Sequence, residues 1–163
     1  KAIEIDPQLA LAYNNRGLIK DEQLGDHQGA IVDFSKAIEI DPQLALARMN
    51  RGAAKSKSGD YQGALADLSK SIELNPKYAN AYYNRGYLKA KSGDYQGAIV
   101  DFSKAIKINP QFTLAYANRG AAKGRLGDDK DGCADFKKSA SLGSQLAAQW
   151  LNSEDGAWCR NMQ

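Results

Sequence analysis

The sequence predicts an all-α protein, a solenoid of stacked antiparallel helix pairs. Three observations carry that expectation. The phrase KAIEIDPQLALA occupies Lys1 to Ala12 and returns unchanged at Lys36 to Ala47. Pro7, Pro42, Pro76 and Pro110 are spaced 35, 34 and 34, and Gly17, Gly52, Gly86 and Gly120 keep the same spacing. Apolar residues inside each period recur at offsets of three and four, the mark of one face of a helix. A period between 20 and 50 residues is the signature of stacked units that bury their apolar faces against one another.

The third unit shows how each element arises. Ala81, Tyr82, Leu88 and Ala90 mark its first helix, and Ala98, Ile99, Phe102, Ala105 and Ile106 its second. Between them lies Ser-Gly-Asp. Gly93 can take the left-handed conformation that ends a helix, and Asp94 can cap the next. Asn-Pro closes the unit, since proline suits the first turn of a helix and not its interior. Helices are therefore expected over residues 10–23, 27–40, 44–58, 61–74, 78–92, 95–108, 112–126 and 129–141. Four units follow one another, about 10–43, 44–77, 78–111 and 112–143. Residues 1–9 read as the end of a truncated preceding unit, which makes the chain a fragment of a longer array whose cut edge exposes Ile3 and Ile5 and favours self-association. Residues 144–163 read as a capping helix, with Leu146, Ala147, Trp150 and Leu151 on one face, and a tail without periodicity from Asn152 that carries Trp158.

These units resemble the tetratricopeptide repeat (TPR) family, whose pattern runs from an aromatic through Leu-Gly and Tyr to Ala-x-x-x-Phe and a closing Pro. The third unit gives Tyr82, Gly86, Ala98, Phe102, Ala105 and Pro110, and the first gives Tyr13, Gly17, Ala30, Phe34, Ala37 and Pro42. The second has Arg48 for the aromatic and Leu68 for Phe, and the fourth has Gly132 for Ala. The resemblance implies a right-handed superhelix whose first helices line a concave, peptide-holding face. The YNRG phrases look like those of bacterial, cyanobacterial-style members.

Several columns depart from the family or vary along the concave face. Arg16, Arg51, Arg85 and Arg119 stand in place of Leu, and Lys20, Lys55, Lys89 and Lys123 in place of Tyr, while Asp33, Asp67, Asp101 and Asp135 are acidic throughout. Arg51 precedes Gly59 by eight residues and Asp67 follows it by eight, so an antiparallel hairpin sets them at one height. An Arg–Asp ion pair inside each unit is the expectation, the guanidinium fork matching a carboxylate. The first unit has one more residue between Gly17 and Gly25, to be absorbed as a bulge or a longer turn.

Asn15, Asn50, Asn84 and Asn118 form the candidate peptide ladder, because a side-chain amide both donates and accepts. Met49, Asn80, Tyr83 and Tyr87 adjoin it, and Lys57, Lys91 and Arg125 make one wall basic. This arrangement resembles the asparagine ladders of some peptide-binding TPR proteins. A clamp for a C-terminal carboxylate would need Lys and Arg where Asn14, Leu46 and Asn80 stand. The expected partner is an extended protein segment with some acidic side chains. The ladder could instead bridge neighbouring helices. A self-assembling scaffold and an RNA-reading helical repeat are the rival readings.

Composition bounds the rest. A net charge of +3, with both signs interleaved, offers no basic stripe for nucleic acid. No apolar run approaches a membrane span. The single histidine, His27, fills the slot of Tyr61 and Tyr95 and is expected to pack. Cys133 and Cys159 suggest neither a disulfide framework nor a metal site and fit a reducing compartment, with the cytoplasm as default. No enzyme activity, cofactor or metal is expected.

Overall fold

The computed structural model describes residues 7–161. Every regular element among them is a helix: α1 (Pro7–Gln23), α2 (His27–Ile40), α3 (Ala45–Lys57), α4 (Tyr61–Leu74), α5 (Ala79–Lys91), α6 (Tyr95–Ile108), α7 (Thr113–Arg125), α8 (Asp129–Ser141), α9 (Gln145–Asn152) and α10 (Glu154–Asn161). The chain forms two compact bodies, residues up to Asn84 and residues from Arg85. In the first, α1 packs on α2, α2 on α3 and α3 on α4. In the second, α6 packs on α7, α7 on α8, and both α9 and α10 on α8 or each other. This is an all-α repeat fold of consecutive helix pairs.

Turn chemistry sets the boundaries. Gly59 (φ +90°) ends α3, and the Asp60 N–H returns to the Lys55 carbonyl at 2.9 Å. The Asp60 carboxylate then accepts from the Gly63 N–H at 2.9 Å and caps α4. Asp26 and Asp94 do the same for α2 and α6. At the first turn the Asp26 N–H reaches back six residues, to the Lys20 carbonyl at 2.9 Å, where Asp60 and Asp94 reach back five. The additional residue is thus absorbed as a wider turn, and α2 starts in its usual frame. The other junctions use Asp41, Asn75 and Asn109, each extended and followed by Pro. α8 ends instead on Gly143 (φ +96°), and Ser144 caps α9.

Small residues let the paired helices approach. A Cβ on Gly17 would lie 2.7 Å from the Phe34 ring. In the fourth hairpin the close contact is backbone to backbone: a Cβ on Gly120 would meet the Gly132 carbonyl at 2.8 Å, and one on Gly132 the Gly120 carbonyl at 2.9 Å. Gly132 for Ala is therefore a consequence of that contact. Between successive pairs, Ala30, Phe34 and Ala54 form one core with Leu18 and Ile31 against it, and Ala37, Ile38 and Ala47 another with Tyr13 and Leu44.

Two expectations for the C-terminal segment require correction. The stretch after Asn152 is helical: α10 turns back on α8 and α9, with Gly156 and Cys159 buried at a spacing of three. Cys133 and Cys159 are joined in a disulfide, and the described chain has no free cysteine. Cys133 occupies the position of Ile31, Leu65 and Ile99 in earlier repeats, and Ile31 packs there against Ala30, Phe34 and Ala54. Here α10, two helices on, offers a thiol. Such bonds persist where the surroundings are oxidising, so the pair does not fit the reducing compartment expected. The expectations for Ile3, Ile5 and the Trp158 side chain lie outside the described residues.

Three expected outcomes follow from this packing. Gly132→Ala should destabilise the protein by about 1–3 kcal/mol, because the new methyl meets backbone that cannot yield. Gly124→Ala should stabilise it by about 0.5–1 kcal/mol, since a Cβ there finds its nearest neighbour at 3.9 Å. Urea unfolding reads both signs. Reducing the disulfide, which spans 26 positions, should cost the C-terminal body about 3 kcal/mol. Urea midpoints with and without dithiothreitol, matched by a Cys159→Ser variant, check this.

Candidate functional site

Each second helix buries one aspartate. Asp33, Asp67, Asp101 and Asp135 are at most 5% exposed. Each accepts two hydrogen bonds from the arginine of its own hairpin: Arg16 at 2.8 and 2.6 Å, Arg51 at 2.8 and 2.6 Å, Arg85 at 2.9 and 2.8 Å, Arg119 at 2.8 and 2.6 Å. A lysine completes each set: Lys20 at 2.9 Å, Lys55 and Lys89 at 2.8 Å, Lys123 at 3.0 Å. The Arg–Asp pair expected from spacing thus extends to a lysine as well. The signal was present, since each lies four residues after its arginine and so on the same face. Arg51 and Arg119 also reach the preceding repeat, donating to Ser35 Oγ and Ser103 Oγ at 3.1 Å. Arg16 stays 58% exposed and lies over the Tyr13 ring, 5.0 Å from its centroid.

These contacts shift the carboxyls. The Arg16 hydrogen bond, helped by Lys20 and both positive charges, holds Asp33 below the usual carboxylate range against its burial. For Asp67 burial is the largest influence and pushes upward. Hydrogen bonds from Arg51 and Lys55, with their charges, together outweigh it, and this carboxyl too sits below its ordinary value.

The asparagine column behaves differently along the chain. Asn50 is 8% exposed, and its amide donates to Asn14 Oδ1 at 2.9 Å, Asn14 being wholly buried. Asn50 is thus a strut between α1 and α3. Asn14 was not among the ladder residues. It stands in the column of Met49, Tyr83 and Ala117, so only the first repeat offers an amide there. Asn15 is exposed, with Oδ1 3.4 Å from the Asn14 amide, and Asn84 is half-buried.

Lys57 contacts Asp21 at 2.5 Å, and His27 Nδ1 lies 2.6 Å from the other oxygen of that carboxylate. His27 is therefore held by a hydrogen bond, in a cluster that sequence reasoning missed because the longer first turn obscured its register. Met49 and Asn80, with Leu46 and Tyr78, line a cavity of about 250 Å³ in the N-terminal body.

The C-terminal body gathers more of the predicted set. Tyr87 and Lys91 from α5, Tyr95 from α6, and Asn118, Ala121 and Arg125 from α7 surround one cavity of about 280 Å³. Tyr87, Lys91 and Arg125 are exposed at its mouth. Ala121 and Arg125 also border a second cavity of about 250 Å³, walled by Phe136 and Trp150. Among the described residues no three His, Cys, Asp or Glu side chains gather as metal ligands, and no helix is long and apolar enough to cross a membrane.

Models of the tetratricopeptide repeat match residues 79–112, and of the TPR repeat residues 22–59 and 55–93, together more than half of the chain. The chain belongs to the tetratricopeptide repeat family. Among solved structures, a crystal structure of MamA aligns with a TM-score of 0.77 at 28% identity, covering 90% of this chain and 85% of that one. MamA from Desulfovibrio magneticus RS-1 (residue 41 to the end) aligns with a TM-score of 0.73 at 26% identity, covering 85% and 76%. The first TPR of Spaghetti (RPAP3), bound to the HSP90 peptide SRMEEVD, aligns with a TM-score of 0.72 and covers 77% of this chain and 99% of that one. Its identity is 24%, so that likeness concerns the fold alone. No curated protein sequence matches the chain. TPR domains are in general a non-catalytic protein-interaction fold.

The buried aspartates generate a prediction. Asp67→Ala leaves Arg51 and Lys55 facing each other and should cost about 3 kcal/mol. Because the Asp33 and Asp67 carboxyls are lowered in the folded state, their contribution is complete above the unfolded value near 4 and disappears as pH falls below it. Urea midpoints measured from neutral pH downward should fall steeply below about pH 4, and Asp67→Asn should flatten that fall.

Proposed function

We propose that this TPR protein is a non-catalytic interaction module that holds an extended, acidic peptide segment against the first helices of its C-terminal body. The observation that carries this reading is the cavity bounded by Tyr87, Lys91, Asn118 and Arg125. Two cations one repeat apart set a positive mouth, suited to carboxylate side chains. An aromatic flank and a side-chain amide offer apolar contact and backbone pairing. The RPAP3 domain holding SRMEEVD is a case of this fold accommodating a short peptide with acidic residues. Here Asn14, Leu46 and Asn80 occupy the positions at which a C-terminal carboxylate clamp needs cations, so an internal segment suits the groove better than a chain terminus.

Each net hydrogen bond is worth about 0.5–1.5 kcal/mol, and ordering the peptide offsets several of them. Affinity near 1 μM, about −8 kcal/mol, is the expectation. A random peptide library displayed against the wild-type protein should enrich sequences rich in Asp and Glu. Against a Lys91→Glu, Arg125→Glu double variant the acidic preference should vanish, and selected peptides should bind at least about tenfold more weakly by fluorescence anisotropy, a loss of about 1.4 kcal/mol. Identical enrichment by both proteins, or none by either, would sink this reading. Tight binding of a single-stranded RNA with a steep salt dependence would favour the RNA-reading rival.

A further inference from the structure

The fourth hairpin departs from its predecessors at three neighbouring positions. Gly124 stands where Ser56 and Ala90 stand, Gly132 where Ala64 and Ala98 stand, and Asp129 where Tyr61 and Tyr95 stand. Each change removes bulk from the same place. In the third hairpin Tyr95 lines the cavity between α5 and α7. In the fourth the shorter Asp129 side chain stands at that position, and a hollow of about 250 Å³ remains, lined by Gly120, Gly124, Asp129, Gly132, Phe136 and Trp150. Gly132 is explained by its contact with Gly120, but Gly124 and Asp129 are not. A Cβ on Gly124 would meet only Asp129 Oδ1, at an ordinary contact distance of 3.9 Å.

The wall of this hollow is aromatic. Trp150 of α9 lies on Phe136 of α8, ring centroids 4.4 Å apart and planes tilted by 32°. That arrangement leaves an aromatic surface facing a glycine floor. The volume is below the roughly 300–1,000 Å³ of small-molecule sites, and it suits one large side chain. Ala121 and Arg125 border both this hollow and the cavity at Tyr87 and Lys91. A strand of peptide crossing Arg125 would thus have a basic contact on one side and, directly beside it, an aromatic-walled socket with the Asp129 carboxylate at one edge.

We propose that the hollow under Trp150 is a specificity pocket for a bulky aromatic side chain adjacent to an acidic residue of the bound peptide. The proposal rests on the acidic-peptide reading above. It adds a sequence requirement: the partner carries Phe, Tyr or Trp next to Asp or Glu. Stacking against Trp150 and Phe136 supplies the selectivity. The Arg125 guanidinium takes the neighbouring carboxylate.

The test uses two short fluorescein-labelled peptides of Glu and Ser, one with a central Phe flanked by Glu, the other with Ala in its place. Anisotropy titrations with the wild-type protein should give the Phe peptide at least about tenfold higher affinity, as burying one aromatic ring predicts. Gly124→Leu fills the hollow from an exposed helical position, so the two peptides should then bind alike. A circular dichroism melt checks that this variant is folded. Trp150→Leu, which removes the aromatic wall and keeps an apolar one, should shrink the Phe preference as well. If both peptides bind wild type equally, the groove stands and the pocket is refuted. A Phe preference that survives Gly124→Leu also refutes it. If neither peptide binds wild type, the groove and its pocket fall together.

Discussion

Each hairpin is organised around one buried carboxylate. An aspartate with almost no exposure is tenable only if its lone pairs are filled and its charge is balanced. Here one arginine supplies two parallel hydrogen bonds and one lysine a third. Because the guanidinium is planar and the carboxylate is fixed on the second helix, the two helices can meet in only one register. The apolar packing is permissive by comparison, since Leu68 replaces Phe34 and Phe102 at the equivalent position without altering the hairpin. The charged triad therefore specifies how the helices pair, and the apolar contacts supply most of the stabilisation. Where Arg51 and Arg119 also reach a serine of the preceding repeat, the same group ties one hairpin to the one before it.

With the pairing fixed from within, the positions facing away from the triad are free to differ. The asparagine column illustrates this. Beside Asn14 the amide of Asn50 turns inward and becomes a strut, whereas Asn118 lines a cavity with Tyr87, Lys91 and Arg125. The same residue type at one repeat position is a strut between helices in the second repeat and lines a cavity in the fourth. Lys57 likewise meets Asp21, a carboxylate next to the widened first turn, while Lys91 and Arg125 border the open cavity.

The C-terminal end closes differently from a repeat. A disulfide stands at the position where Ile31 of the first repeat makes an apolar contact, and Trp150 lies against Phe136. Two eight-residue helices would be marginal alone. The bond from α8 to α10, the serine cap of α9 and the ring contact give them the order that length cannot.

The sequence by itself determined the period, the helices and the turns. Those features rest on local chemistry: proline and glycine positions, aspartate caps, and apolar offsets of three and four. It also placed Arg51 and Asp67 at equal distance from Gly59, a spacing that an antiparallel hairpin converts into a height. Tertiary structure decided what depends on contacts between segments far apart in the chain. Whether Asn50 faces a groove or Asn14, whether Cys133 finds Cys159, and whether the loss of Tyr, Ala and Ser side chains near Gly124 leaves a hollow are all settled by the stagger of neighbouring helices. α10 escaped the reading because Gly156 and Cys159 give a helical period without a large apolar side chain to reveal it. Periodicity fixes which face of a helix is buried, but the partner of each side chain on that face is set by packing across repeats, and no local pattern encodes it.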